Sequence, residues 1–426
     1  MMSLILISVA IFLVVYIFIS TELMNKTIVA LFGASVYLVL RIIDSEVAYG
    51  IIDWNVIFLL VSMMIIVGIT KETGIFQYVA VKAAKAVKGE PVKILIMLSL
   101  ITAVFSAFLD NVTTVLIIAP ITILIAVELG ISPVPFIINI ALASNIGGTA
   151  TLIGDPPNIM IGSKAGFSFL QFLTVLGPLV LVLLVLFSVL LWFLFRKKLR
   201  VSHERKARIL EFNEKKAIAD SKLLVKCSIV LALVISGFVL HGVLHLEASV
   251  IALFGAALLM VISGKKDIDE IVKDVEWGTI LFFVGLFIMV GGLVETGAIK
   301  LASEKLLAVT AGDVEKTSVL LVWASGIFSS VVDNIPYVAT MIPMVTEMES
   351  VMGSAAVAPV WWALALGSCL GGNGTLVGAS ANVVAAGIAG KSGFKISFWE
   401  FTKYSFLIML LTLLFANIYI KLIFFM

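Results

Sequence analysis

Charge is what this chain has least of. Only 13% of its residues are Asp, Glu, Lys or Arg against 61% hydrophobic, and stretches of 17 or more nearly uncharged apolar residues recur along its length. No soluble domain of this size is composed that way, because such runs are long enough to cross a bilayer as helices. The formal net charge of +2 is too small to suggest a nucleic-acid partner. Cysteine is nearly absent too. Cys227 and Cys369 lie in or beside apolar segments, which excludes a disulfide framework, a zinc knuckle and a redox pair. His241 and His245 have the spacing of a metal pair but lack a third ligand, so they read as packing residues at the end of a span. The Gly-Lys-Ser at 390–392 lacks the first glycine of a phosphate loop. The chain therefore carries no ATPase module, which leaves room for an ATPase partner subunit. No nucleophile and base stand at a credible spacing, so an enzyme is not expected.

The first apolar segment, Ser3 to Ser20, has no basic n-region and no small-residue cleavage site after it, and is read as a mature span rather than a signal peptide. Its counterpart in a second half supports this. Asp53-Trp54 recurs as Glu276-Trp277, Glu72-Thr73-Gly74 as Glu295-Thr296-Gly297, Asp110-Asn111 as Asp333-Asn334 and Pro120 as Pro343, every pair 223 residues apart. After one inserted residue, Ser144, Gly147-Gly148, Thr151-Leu152, Gly154 and Asn158 recur as Ser368, Gly371-Gly372, Thr375-Leu376, Gly378 and Asn382, now 224 apart. Chance does not make such a ladder.

Each half holds three spans, at 3–19, 26–43 and 54–70 and again at 224–241, 248–263 and 277–293. Two apolar arms follow and meet at the Asp-Asn pair, then a helix interrupted by a Gly-rich stretch, then a closing span. The first repeat is expected over 1–195, with a hairpin at 92–129 and a broken helix at 134–165. A basic connector occupies 196–222, read as a solvated, partly helical, lipid-associated linker. The second repeat covers 223–426, with a hairpin at 315–352 and a broken helix at 360–389. The expected fold is an all-α polytopic membrane protein of about ten spans with two re-entrant hairpins and two broken helices.

Five crossings per half force the second repeat to insert upside down relative to the first. With the connector in the cytoplasm, 23 of the 29 lysines and arginines fall inside, 11 of them between Arg196 and Lys226, as the positive-inside rule expects. The inside set includes Lys26, Lys265 and Lys266. Both termini then face outward from the plasma membrane. Charge gives the same orientation whether the two arms form a re-entrant hairpin or two full spans. Polarity favours the hairpin, because the junction Ala107-Phe108-Leu109-Asp110-Asn111-Val112-Thr113-Thr114 is too tight and too apolar at its flanks for an external turn.

A carboxylate at the bilayer centre costs about 3 kcal/mol on insertion scales, so one is kept where it meets water, a cation or a partner. Asp110, Asp155 and Asp333 are such residues. Helix capping is the alternative role, since Asp suits an N-cap, and a cap can also be a cation ligand. The stretch from Ser144 to Asn158, with Asn145, Gly147, Gly148, Thr149, Thr151, Asp155 and paired prolines, reads as an unwound helix whose free carbonyls can coordinate a cation. Its mate from Ser368 to Asn382 keeps the Gly, Thr and Asn positions but has Ala379-Ser380-Ala381 for Asp155-Pro156-Pro157. Close helix packing by small residues is the other explanation for such a stretch.

These motifs, Ser106 to Thr114, Gly147 to Asn158, Asp333-Asn334-Ile335-Pro336 and Cys369 to Asn382, resemble the ion transporter superfamily over nearly the whole chain. The resemblance is nearest to the branch of the P protein and the ArsB-type arsenical pump membrane proteins, with NhaD-type antiporters and sodium-coupled dicarboxylate carriers more distant. It implies an elevator-type carrier, commonly a homodimer. It also implies that Asp110, Asn111, Thr113 and the loop from Asn145 to Thr151 line one half-site. Asp333, Asn334, Cys369 and the loop Gly371, Gly372, Asn373 to Thr375 would line the other.

The leading expectation is a proton- or sodium-coupled secondary transporter, a candidate for arsenite or antimonite efflux, with no cofactor beyond a sodium ion. Sodium/proton antiport is the alternative within that class. An anion transporter or channel for chloride or carboxylate is the rival from another class, and it predicts no coupling to a cation gradient.

Overall fold

The computed structural model describes residues 2–21, 23–264 and 267–426; Lys265 and Lys266, expected on the cytoplasmic side, lie outside the described residues. Among the described residues every regular element is helical, and nine helices are long and apolar enough to cross a membrane. Many large apolar side chains stay exposed on the outer faces of these helices, among them Val39, Val243, Val261 and Trp399, each at least 76% exposed. A lipid-facing belt has this character, and an aqueous surface does not.

The second hairpin's arms, Val314–Val331 and Asn334–Met352, are not among those nine. They carry Glu315, Lys316, Glu347 and Glu349, whereas the first hairpin's arms, Pro91–Phe108 and Asn111–Glu128, pass. Both hairpins turn within two residues. Leu109 and Asp110 leave helical geometry between the first pair of arms, as do Val332 and Asp333 between the second. Each broken helix comes in two parts separated by a non-helical stretch. The first runs Val134–Gly148 and Pro156–Ala165, the second Ser354–Gly371 and Ser380–Lys391.

Packing divides the helices into two sets. In one, Lys26–Val39 packs against Trp277–Glu295, and the repeat-equivalent Ala248–Ser263 packs against Trp54–Glu72. In the other, each hairpin grips its own broken helix, Pro91–Phe108 against Val134–Gly148 and Val314–Val331 against Ser354–Gly371. The halves also interlock there. Helix Ser380–Lys391 packs on Asn111–Glu128 of the first hairpin, and Pro156–Ala165 packs on Asn334–Met352 of the second.

Three features escape a hydropathy reading. Amphipathic helices Ile75–Ala86 and Ala298–Thr310 join the two sets, each entered through a glycine in the left-handed region, Gly74 at φ 80° and Gly297 at φ 81°, where a side chain is disfavoured. The basic connector holds helix His203–Glu211 and a short 3-10 turn, Glu214–Ala217. It is docked rather than free: Lys85 Nζ donates to Glu214 Oε2 at 2.6 Å and to the Phe212 carbonyl at 2.8 Å, and Lys206 Nζ donates to Glu90 Oε1 at 2.6 Å. A Cβ on Gly74 would lie 1.7 Å from the Ala217 carbonyl, while nothing approaches Gly297. The connector therefore covers the first amphipathic arm alone.

Candidate functional site

The two hairpin tips and the two helix breaks converge at the centre of the interlocked set. Hydroxyls fasten each break to its hairpin in the same way twice. Ser106 Oγ donates to the Ser144 carbonyl and Ser329 Oγ to that of Ser368, both at 2.7 Å. Thr151 Oγ1 donates to the Ala107 carbonyl, as Thr375 Oγ1 does to that of Ser330. Inside each break an asparagine amide collects carbonyls freed by the unwinding. Asn158 Nδ2 reaches Gly148 and Thr151, and Asn382 Nδ2 reaches Gly372 and Thr375. Thr151, Asn158, Thr375 and Asn382 thus hold the breaks open, which a buried stretch of non-helical backbone requires.

Glycine lets this happen at close range. A Cβ on Gly147 would sit 2.1 Å from the Ala103 carbonyl oxygen, and one on Gly371 would lie 2.6 Å from the Cα of Gly326. Gly148 and Gly372 face the far end of their own loops, Gly154 and Gly378. Thr149 spends its hydroxyl on the Asn145 carbonyl one turn back.

The polar side chains at the centre do not sort into one half-site per repeat. Asn111 Nδ2 donates to Asn145 Oδ1 at 3.1 Å, inside the first half. Asn145 Nδ2 then crosses to Asn373 Oδ1 at 2.9 Å and Asn382 Oδ1 at 3.1 Å. In the opposite sense, Cys369 Sγ faces Asn158 Oδ1 at 3.4 Å. Asn334 Nδ2, at the second tip, donates to both oxygens of Asp155 at 3.3 Å. The resemblance implies two half-sites, and hydrogen bonds join their side chains in one network shared across the halves.

The acids differ in what neutralises them. Asp110 Oδ1 caps its helix through the Thr113 backbone N–H at 2.8 Å and is 5% exposed. Asp155 is fully buried, makes no cap bond and among the described residues has the Asn334 amide and the thiol of Cys369 as side-chain partners. Among the described residues no ion pair reaches either acid. Asp333 caps through Ile335 but also holds Lys26, with Nζ to Oδ2 at 2.9 Å. Lys26 and Ser380 were not expected at the site. Lys26 was counted as a cytoplasmic charge, although it is the one base between the first two spans, and that isolation was the signal available.

Asp333, Lys26, Ser380 and Glu276 line a cavity of about 310 Å³. Another, of about 30 Å³, is lined by Asn55, Ile159, Ser163, Glu247, Ala248 and Ser249. Counted along the repeat, Glu247, Ala248, Ser249 and Ile159 stand where Met24, Asn25, Lys26 and Val383 stand in the larger one. The small one is closed by Ser163 Oγ donating to Asp53 Oδ2 at 2.6 Å and Ser249 Oγ to Asn55 Oδ1 at 2.8 Å.

Residues 16–367 match the model of the citrate transporter family. The chain belongs to that family. An uncharacterized transporter of Mycobacterium tuberculosis is 47% identical over 98% of each chain, and the 46 kDa membrane protein of Mycobacterium leprae is 48% identical over 97% of each. The P protein of Homo sapiens is 35% identical over 93% of this chain and 57% of its own. The fold is similar to that of the YdaH transporter of Alcanivorax borkumensis, with a TM-score of 0.60 at 12% identity over 93% of this chain and 96% of that one. This citrate-transporter-family member is therefore a multi-pass membrane transporter.

Proposed function

We propose that this transporter is a secondary active carrier driven by a proton or sodium gradient. Asp155 carries the reading. A buried carboxylate that meets only an amide and a thiol is costly when ionised, by several kcal/mol even after relaxation, so it takes up a proton or a cation. Asp155 interacts electrostatically with both tip acids, Asp333 and Asp110, and of these two Asp110 has no ion pair among the described residues.

Acids outnumber Lys26, the one base lining the larger cavity, and this favours a cargo that is uncharged or that travels with a cation. An undissociated oxyacid such as arsenous acid fits that polarity better than a free citrate trianion, which makes arsenite or antimonite efflux the cargo proposed here. Sodium/proton antiport is the second reading, favoured by the same excess of acid. Alternating access by an elevator movement is supported by the two cavities at equivalent positions, one open and one nearly shut. The sidedness we propose, with the connector in the cytoplasm, makes the larger cavity face inward.

Isotope flux in proteoliposomes under imposed proton and sodium gradients, with arsenite, sodium, citrate and chloride as cargoes, tests this. Saturable, gradient-driven movement of arsenite or sodium is expected. Conductance of chloride that neither saturates nor responds to a cation gradient would remove the reading in favour of a channel. In the same vesicles a cysteine placed at Ser202 should label only from the cytoplasmic side and one at Ala311 only from outside. Labelling of both from one side would sink the inverted arrangement.

A further inference from the structure

The two hairpin tips carry the same acid in unlike surroundings. At the second tip, Lys26 Nζ lies 2.9 Å from Asp333 Oδ2 and 2.6 Å from Ser380 Oγ, and Ser380 Oγ donates to the same Asp333 oxygen at 2.5 Å. The ring of Phe282 stands 5.1 Å from the ammonium, a distance at which its face attracts a cation. Carboxylate, hydroxyl and aromatic face therefore surround the ammonium as a ligand set surrounds an ion.

The ammonium, the hydroxyl and the aromatic face are missing from the first tip, where only the carboxylate is kept. The repeat equivalents of Lys26, Phe282 and Ser380 are Ser249, Leu59 and Pro156. Ser249 is turned to Asn55, Leu59 has no π face, and Pro156 has neither hydroxyl nor N–H. Asp110 keeps only partners from the first turn of its own helix, the Thr113 backbone N–H and hydroxyl and the Val112 backbone N–H, among the described residues.

We propose that the Lys26 ammonium is the resident counter-cation of the second tip. Asp333 then takes no cation from solution, and the external coupling cation goes to Asp110 at the first tip or to Asp155, which the Asn334 amide joins to the second tip. A tethered partner competes at an effective concentration in the millimolar range or above, and here the lysine is also held by packing, so dissolved sodium or protons do not displace it at rest. The tether has a mechanical consequence. Lys26 begins the helix that packs on Trp277–Glu295, whereas Asp333 and Ser380 belong to the hairpin and broken helix. Movement of one set past the other must break this ion pair.

The inference rests on the cation-coupled reading, and the experiment separates the two. Thermal stability of the purified full-length protein is measured against sodium chloride, with choline chloride holding ionic strength constant, over a range of pH. Wild type should respond to sodium or to protons. Lys26→Met keeps the aliphatic stem and frees Asp333. It should gain an additional, saturable rise of about 3 °C on adding sodium or lowering pH, the size expected for one more bound ligand. Lys26→Met/Asp333→Asn should lose that added response.

A wild-type protein indifferent to both cations would overturn the cation-coupled reading itself. A wild-type response with no gain in Lys26→Met, or a gain that persists in the double variant, would overturn the counter-cation alone. Should Lys26→Met fail to accumulate, recovery in the double variant supports the proposal, because only the unpaired Asp333 has been removed. Failure of both would overturn it by making Lys26 a packing residue.

Discussion

The first hairpin tip and the second are made by the same motif, capped by the same residue type and clasped to their broken helices by equivalent hydroxyls. Among the described residues one has no cation beside its acid, and the other carries a lysine at 2.9 Å. Three exchanges between the repeats account for the contrast: Lys26 against Ser249, Ser380 against Pro156, and Ala379 against Asp155. Among the described residues the acids of the first half at the centre have no ion pair, while Asp333 of the second half is paired with a lysine that the first half supplies. The recurring motif gives both tips the same frame, and a few exchanges place a lysine beside one of the two acids.

The largest effect that could break this comparison belongs to Asp155. Asp155→Asn keeps a partner for Asn334 but removes the charge, and gradient-driven flux should fall on the order of 100-fold, the equivalent of a charged contact of about 3 kcal/mol. Flux at the wild-type level, at matched expression, would take Asp155 out of the coupling step.

The packing of the two breaks sharpens it next. A Cβ at position 147 meets backbone at 2.1 Å and one at 371 meets it at 2.6 Å. Both Gly→Ala changes should destabilise by about 1–3 kcal/mol or more, with Gly147→Ala the worse, as read by thermal unfolding in detergent. Equal losses would show that the halves are packed alike at this point.

The smallest effect concerns the connector, which covers one repeat only. The Lys85 ammonium beside Glu214 holds that carboxyl below its ordinary value. A lowered value means that the pair contributes above the unfolded carboxyl's range and is lost as pH falls through the lowered one. The pair is at the surface, so the contribution is small. Glu214→Gln should speed hydrogen exchange over 203–217 slightly at neutral pH and match wild type once the carboxyl is protonated. Identical exchange at neutral pH would show the connector held by its backbone contacts alone.

Much of this molecule is written locally. Apolar runs of spanning length give helices because no other element satisfies its backbone in lipid, and Asp-Asn tips, glycine pairs and Asn158 with Asn382 mark the breaks by their own conformational chemistry. A 223-residue ladder exposes the duplication without any coordinates. The helices Ile75–Ala86 and Ala298–Thr310 were less legible, being too short and too amphipathic to register as spans. The docking of the connector is not legible in its basic residues, because Lys206 meets Glu90 and Lys85 meets Glu214 only once the chain has folded.

What the sequence determined by itself was the class of fold, the repeat, and which acids stand at helix breaks, since each follows from hydropathy, spacing or backbone preference over a few residues. Only the tertiary structure decided which acid is neutralised. Lys26 lies 307 residues from Asp333, and Asp155 lies 179 from Asn334. Electrostatic pairing falls with distance through space and is indifferent to distance along the chain, so partners that far apart meet only after the two halves have interlocked.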